Sequence, residues 1–239
     1  MSREGDIGSG AALRRVLAAA TRVQEAQGES FDPQAYDEIF RRLSEGVREM
    51  QKRLARERKL AQAQWTVLER HPQQRRLMMI RNDRRLQTWG LYRVLLDRSR
   101  GLVLRQARAA ADLAELALAV ARCLDPEKHG EETTADFQAG ALMALAEAKR
   151  HLSDSVGAWE SFDAARRCLE SGTGDPLERA ELEVLRARLL HGFGREEDAS
   201  QALRRARNLL RKIGDTRAER GELLGDGHRH DTEHRQARG

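Results

Sequence analysis

Apolar residues along this chain recur at steps of three and four, and runs alternating apolar with polar at steps of two are absent. Steps of three and four line one face of a helix, so the pattern predicts helices throughout and no sheet. The longest stripe is Phe40, Leu43, Val47, Met50, Leu54, Ala61, Trp65 and Leu68. It predicts a helix from about Gln34 to Arg70, roughly 55 Å long. Gly46 weakens this helix, Glu57 interrupts its stripe, and Pro72 ends it by steering the preceding residue out of helical geometry. Ahead of it, Leu13, Val16, Leu17, Ala20 and Val23 place a short helix at 11–27, followed by a turn at 28–33. Behind it, Leu77-Met-Met-Ile80 marks a short helix or turn at 74–83. Further helices are predicted from Leu86 to about Gln106, Ala111 to Leu124, Thr134 to His151, Ser155 to Glu170, Pro176 to His191 and Glu196 to Ile213. Pro33, Pro126 and Pro176 each follow an aspartate, which suits Asp as the capping residue and Pro as the first helical one. In Asp175-Pro-Leu-Glu178 the glutamate is placed to reach back to a free amide at the helix start. The segment after Gly214 has few apolar positions and reads as a disordered or weakly helical tail.

Within the later helices one spacing repeats: a small residue, a large apolar residue four later, and Ala three after that. The three instances are Ala114/Leu118/Ala121, Ala158/Phe162/Ala165 and Ala199/Leu203/Ala206, with anchors 44 and 41 residues apart. Offsets of four and three share one helix face, where small residues let a second helix approach and the large one fills the gap. Leu142, Leu145 and Ala146 supply the matching face before the second instance, and Leu182, Leu189 and Leu190 before the third.

These residues resemble the tetratricopeptide-repeat (TPR) family, whose second helix carries Ala-x3-aromatic-x2-Ala and whose first helix carries a small residue. Residues 153–165 with Ala146 give the best match, and residues 194–206 with Ala187 the next. The chain is also similar to bacterial proteins in which a basic helical segment, here Ile80–Gly90, precedes TPR-like repeats. Such proteins continue through further repeats, so a chain ending soon after Asp215 reads as a truncated member whose last helix lacks a cap. The resemblance implies an all-α fold, with antiparallel helical hairpins stacked as a short α-solenoid behind a long N-terminal helix. The organisation it suggests is a short helix and turn at 1–33, a long basic helical region at 34–108, TPR-like repeats at 109–213, and the tail at 214–239. It further implies a groove lined by first-helix residues off the packing face. Those are Met143, Glu147 and Arg150 in one unit and Val184, Arg188 and His191 in the next, at offsets of 15, 11 and 8 before each anchor alanine.

Composition agrees with solvent-rich helices: 34% of residues are charged and only 4% aromatic. The net charge of +5 conceals a division, because residues 41–108 hold 19 Lys/Arg against 6 Asp/Glu while the remainder is acidic. Arg75, Arg76, Arg81, Arg84 and Arg85, near Trp65, Trp89 and Tyr92, read first as a solvated helix face salt-bridged to the acidic repeats, since no helix-turn-helix or RNA-binding signature accompanies them, and second as a phosphate-contacting patch. Cys123 and Cys168 read as two small buried hydrophobes, not as a disulfide. The tail histidines His228, His230 and His234 suit weak metal binding, which the entropy of ordering a Gly-rich segment opposes. His71, His151 and His191 lie near predicted helix ends, where an imidazolium favours the dipole. The N-terminus lacks the apolar core of a signal peptide, and runs such as Leu116–Ala121 are too short to span a bilayer, so a cytoplasmic location is expected.

No nucleophile elbow, Gly-rich phosphate loop or HExxH occurs. The expectation is a non-catalytic protein–protein interaction scaffold with no cofactor and no metal, taking a protein or peptide partner. Arg150 and Arg188 are positioned to clamp a carboxylate. Two alternatives stand beside it: a nucleic-acid-binding regulator acting through residues 41–108, and a structural protein that homodimerises along the 34–70 helix.

Overall fold

The computed structural model describes Arg41, Glu45, Lys52 and residues 55–213. The helix expected at 11–27, the turn at 28–33, most of the 34–70 helix, and the tail with its histidines lie outside the described residues. The chain divides into two compact units, Met1–Arg56 and Glu57–Gly239. In the first, Arg41 pairs with Glu45 one helical turn away at 2.9 Å.

Every regular element among the described residues is helical, with no strand. Residues 55–68 are helical (α1) and end at a turn before Pro72. There follow α2 (Gln73–Asn82), a 3-10 turn at Arg84–Leu86, α3 (Trp89–Leu102), α4 (Ala107–Cys123), the single turn α5 (Pro126–His129), α6 (Glu131–His151), α7 (Ser155–Glu170), α8 (Pro176–Gly192) and α9 (Glu196–Lys212). The last four long helices match their sequence-based limits within a few residues, because their ends carry local signals. Asp154 accepts from the Gly157 amide at the start of α7, and Asp175 accepts from the Leu177 amide with Pro176 as the first residue of α8. Asp125 does the same for α5, an element too short for periodicity to reveal.

Consecutive helices pack in pairs, α3 with α4, α6 with α7, and α8 with α9. Each pair meets the next twice: α4 and α3 both touch α6, and α7 and α6 both touch α8. The small–large–small triads sit where helices meet, with every alanine buried, Leu118 and Phe162 buried, and Leu203 partly buried. One core runs from Ala61 in α1 to Leu189 in α8, and smaller clusters fill the α8–α9 pair. Polar ties lock the N-terminal side of that core. The buried Gln64 amide on α1 donates to the Arg85 carbonyl, and the Ser99 hydroxyl on α3 donates to the Ala110 carbonyl at 2.8 Å. The backbone of α3 passes so close to α1 that a Cβ at Gly90 would lie 2.7 Å from the Glu57 carbonyl oxygen.

Candidate partner-binding groove

The last turns of α6 present Glu147, Arg150 and His151, and α8, packed directly against α6, brings Arg188 to them. Glu147 Oε1 accepts from Arg150 Nη2 at 2.9 Å and from Arg188 Nη1 at 3.4 Å. Two guanidinium groups from different helical pairs thus converge on one carboxylate. Burial pushes the Glu147 carboxyl up, but the hydrogen bond and charge of Arg150, joined by Arg188 and His151, outweigh that and hold it below its usual range. Its side chain is only 17% exposed, whereas Arg188 is 33% exposed and retains donors toward solvent.

His151 corrects an expectation. Burial and the neighbouring Arg150 hold its pKa below the usual value, against the pull of Glu147. Its Nε2 lies 2.7 Å from Arg150 Nη2, a geometry in which a neutral imidazole accepts from the guanidinium. The same nitrogen lies 3.5 Å from Glu147 Oε1, so the ring sits between a guanidinium and a carboxylate.

Of the six residues expected in the groove, Glu147, Arg150 and Arg188 come together. Met143 and Val184 do not line it, being buried in the core, Val184 among Leu177, Ala180, Ala206 and Leu210. A 3.6-residue period separates faces only coarsely, and each lies at the margin of its helix's apolar stripe. His191 is exposed and pairs through Nδ1 with Glu196 at 2.7 Å, across the α8–α9 turn.

A second constellation escaped the sequence pattern. Glu178 does not reach back to an amide; it turns toward Asp136 on α6, which is buried. Both Asp136 oxygens accept from the Thr173 amide, at 3.2 and 3.1 Å, and the carboxylate occupies the space a side chain at Gly172 would need. Burial, then the charge of Asp136 and the hydrogen bond with it, push the Glu178 carboxyl up to about 8. Its Oε2 is buried and no protein donor reaches it. A proton on Glu178, donated to Asp136, accounts for both facts, since an acid O–H supplies the one hydrogen bond that two carboxylates cannot make.

The basic segment is partly committed to structure. Arg76 donates to the Leu68 and Glu69 carbonyls that end α1, at 3.1 and 2.8 Å, and lies over the Trp65 ring, as does Arg98. Arg85 forms a forked pair with Asp83. Arg75, Arg81 and Arg84 are exposed and carry no ion pair among the described residues. Trp65 and Tyr92, offered by the sequence as stacking platforms, are buried, and Trp89 is half-buried.

Cys123 and Cys168 are free and half-buried, less enclosed than expected, and burial pushes the Cys168 thiol up. Among the described residues no three His, Cys, Asp or Glu side chains are grouped to hold a metal ion, and no helix is long and apolar enough to cross a membrane. No protein-family model matches the chain, and neither a curated protein nor a solved structure is detectably similar to it.

Proposed function

We propose that this chain is a non-catalytic interaction scaffold of the cytoplasm, its helical pairs forming a short TPR-like α-solenoid that binds a protein or peptide partner. The carrying observation is the convergence of Arg150 and Arg188, from successive pairs, on the single carboxylate of Glu147. The two guanidinium groups bring two positive charges to one negative charge, and the excess suits a carboxylate or acidic side chain arriving from solvent. The order of packing supports the solenoid reading, since α3 and α6 each touch both their own second helix and the next first helix. Affinity purification with the native chain and with Arg150→Glu/Arg188→Glu, at two salt concentrations, tests it. The partner recovered by the native chain should be missing from the variant; recovery in equal amount would overturn the assignment.

The exposed, unpaired Arg75, Arg81 and Arg84 favour one second reading, nucleic-acid binding through residues 41–108. Burial of Trp65 and Tyr92 leaves it with phosphate contacts and few bases to stack, so its affinity would be strongly salt-dependent and indifferent to sequence.

A further inference from the structure

Among the described residues, large apolar side chains left exposed are Leu60, Val67, Met78, Leu104, Leu152, Val156 and Phe193. Isolated exposed apolar residues are ordinary on any protein surface, but four of these fall in or beside the turns of helical pairs. Leu104, Leu152 and Phe193 each lie in the turn joining the two helices of a pair, and Val156 is in the first turn of α7. Leu152 and Phe193 occupy equivalent places, each six residues before an anchor alanine. The turns of the last two pairs are joined through Trp159, one helical turn beyond Val156, whose ring centroid is 6.5 Å from that of Phe193. Val156 is 72% and Phe193 54% exposed, so the patch is open while Trp159 anchors it on the core.

The two segments that form this edge are mostly acidic, with Lys149 reaching the Gly157 carbonyl at 3.4 Å from the end of α6. Residues 152–163 carry Asp154, Glu160 and Asp163 with no Lys or Arg, and residues 193–201 carry Glu196, Glu197 and Asp198 against Arg195 alone. Arg195 is paired with Asp198 at 2.8 Å. Glu160 lies four residues after Val156 and Glu197 four after Phe193; both are exposed and neither has an ion-pair partner among the described residues. An apolar strip rimmed by unpaired carboxylates complements an apolar strip rimmed by Lys and Arg.

We propose that the edge formed by Leu152, Val156, Trp159 and Phe193 docks a cationic amphipathic helix of a partner protein. This goes beyond the arginine groove, which selects the opposite charge. A bilayer offers the apolar phase without a net positive charge, and a second copy would place carboxylate against carboxylate.

A labelled synthetic Leu/Lys amphipathic helix, titrated with the full chain, is the probe. It should bind, weaken with added salt, and be matched by no binding of a Leu/Glu helix of the same pattern. Val156→Ser/Phe193→Ser should weaken it about tenfold or more, the effect expected of central apolar contacts. Glu160→Lys/Glu197→Lys should weaken it also, while Leu60→Ser/Val67→Ser, on α1, should leave it unchanged. All these positions are exposed, so circular dichroism should show the helix content retained; should one double variant unfold, Val156→Ser alone serves. Equal binding by the Val156/Phe193 variant, or equal binding of the Leu/Glu helix, would overturn the proposal. So would an edge-dependent association with phosphatidylcholine vesicles or with a second copy in sedimentation, the probe remaining unbound.

Discussion

Glu178 shows how a single side chain couples this fold to pH. Its folded-state pKa lies near 8 against an ordinary value of 4.5, so the folded chain keeps a proton that the unfolded chain releases. Stability therefore falls as pH rises from about 4.5 toward about 8, then levels once both states are ionised. Glu178→Gln, whose amide still donates to Asp136, should abolish that slope and raise the melting temperature at pH 8 by about 3 °C or more. A variant melting curve that tracks the native one across this range would remove the shared proton from the account. Glu147 and His151 act in the other direction. Both bind protons less readily folded than unfolded, so each withdraws stability as pH falls, His151 below about 6.5 and Glu147 below about 4.5. Phe162 is a purely packing counterpart. It is buried between α6 and α7 and meets Trp159 edge-on at 5.2 Å, so Phe162→Ala should cost about 3–5 kcal/mol in chemical denaturation.

At the level of elements, the helices owe their limits to local chemistry and their neighbours to residue size. α9 illustrates the first point: Glu196, Glu197 and Asp198 sit in its first turn and Arg211 and Lys212 in its last, in line with its dipole. The alanines at 158, 165, 199 and 206 illustrate the second, since each is buried where another helix approaches. Gly90 makes the same point at the α1–α3 crossing. Gly90→Ala should destabilise the chain by about 1–3 kcal/mol, the range for overpacking, despite its better helix propensity. Equal or greater stability would show that the two backbones separate at little cost. Element limits were legible because caps and prolines act over a few residues. The inward burial of Met143 and Val184 was not, since an angular margin on a helix is settled by what packs against it.

For the whole molecule the governing fact is the separation of charge. The basic region precedes an acidic array, and the array mixes an arginine node with a carboxylate-rimmed apolar edge. The two surfaces differ in charge, and on the proposed reading they would hold two segments of unlike charge. Neutralising Arg75, Arg81 and Arg84 should reduce any low-salt DNA or RNA binding and flatten its dependence on salt, by about one counterion for each phosphate no longer neutralised. An unchanged slope in titrations at several salt concentrations would exclude phosphate binding by these three arginines, leaving the protein-binding reading without a rival there.

Periodicity, capping residues and the repeated triad were enough to determine that the described chain is helical, where its later helices begin and end, and which alanines lie where helices meet. These are properties of segments a few turns long, and local sterics and hydrogen bonding decide them. Only the tertiary structure brought Arg188 to Glu147, Glu178 to Asp136 and Phe193 to Trp159, pairs separated by 41, 42 and 34 residues. It also set His151 between Arg150 and Glu147 and committed Arg76 to a helix end. Charge state, burial and pairing depend on which helices become neighbours, and that choice is made by the packing of side chains distant in sequence.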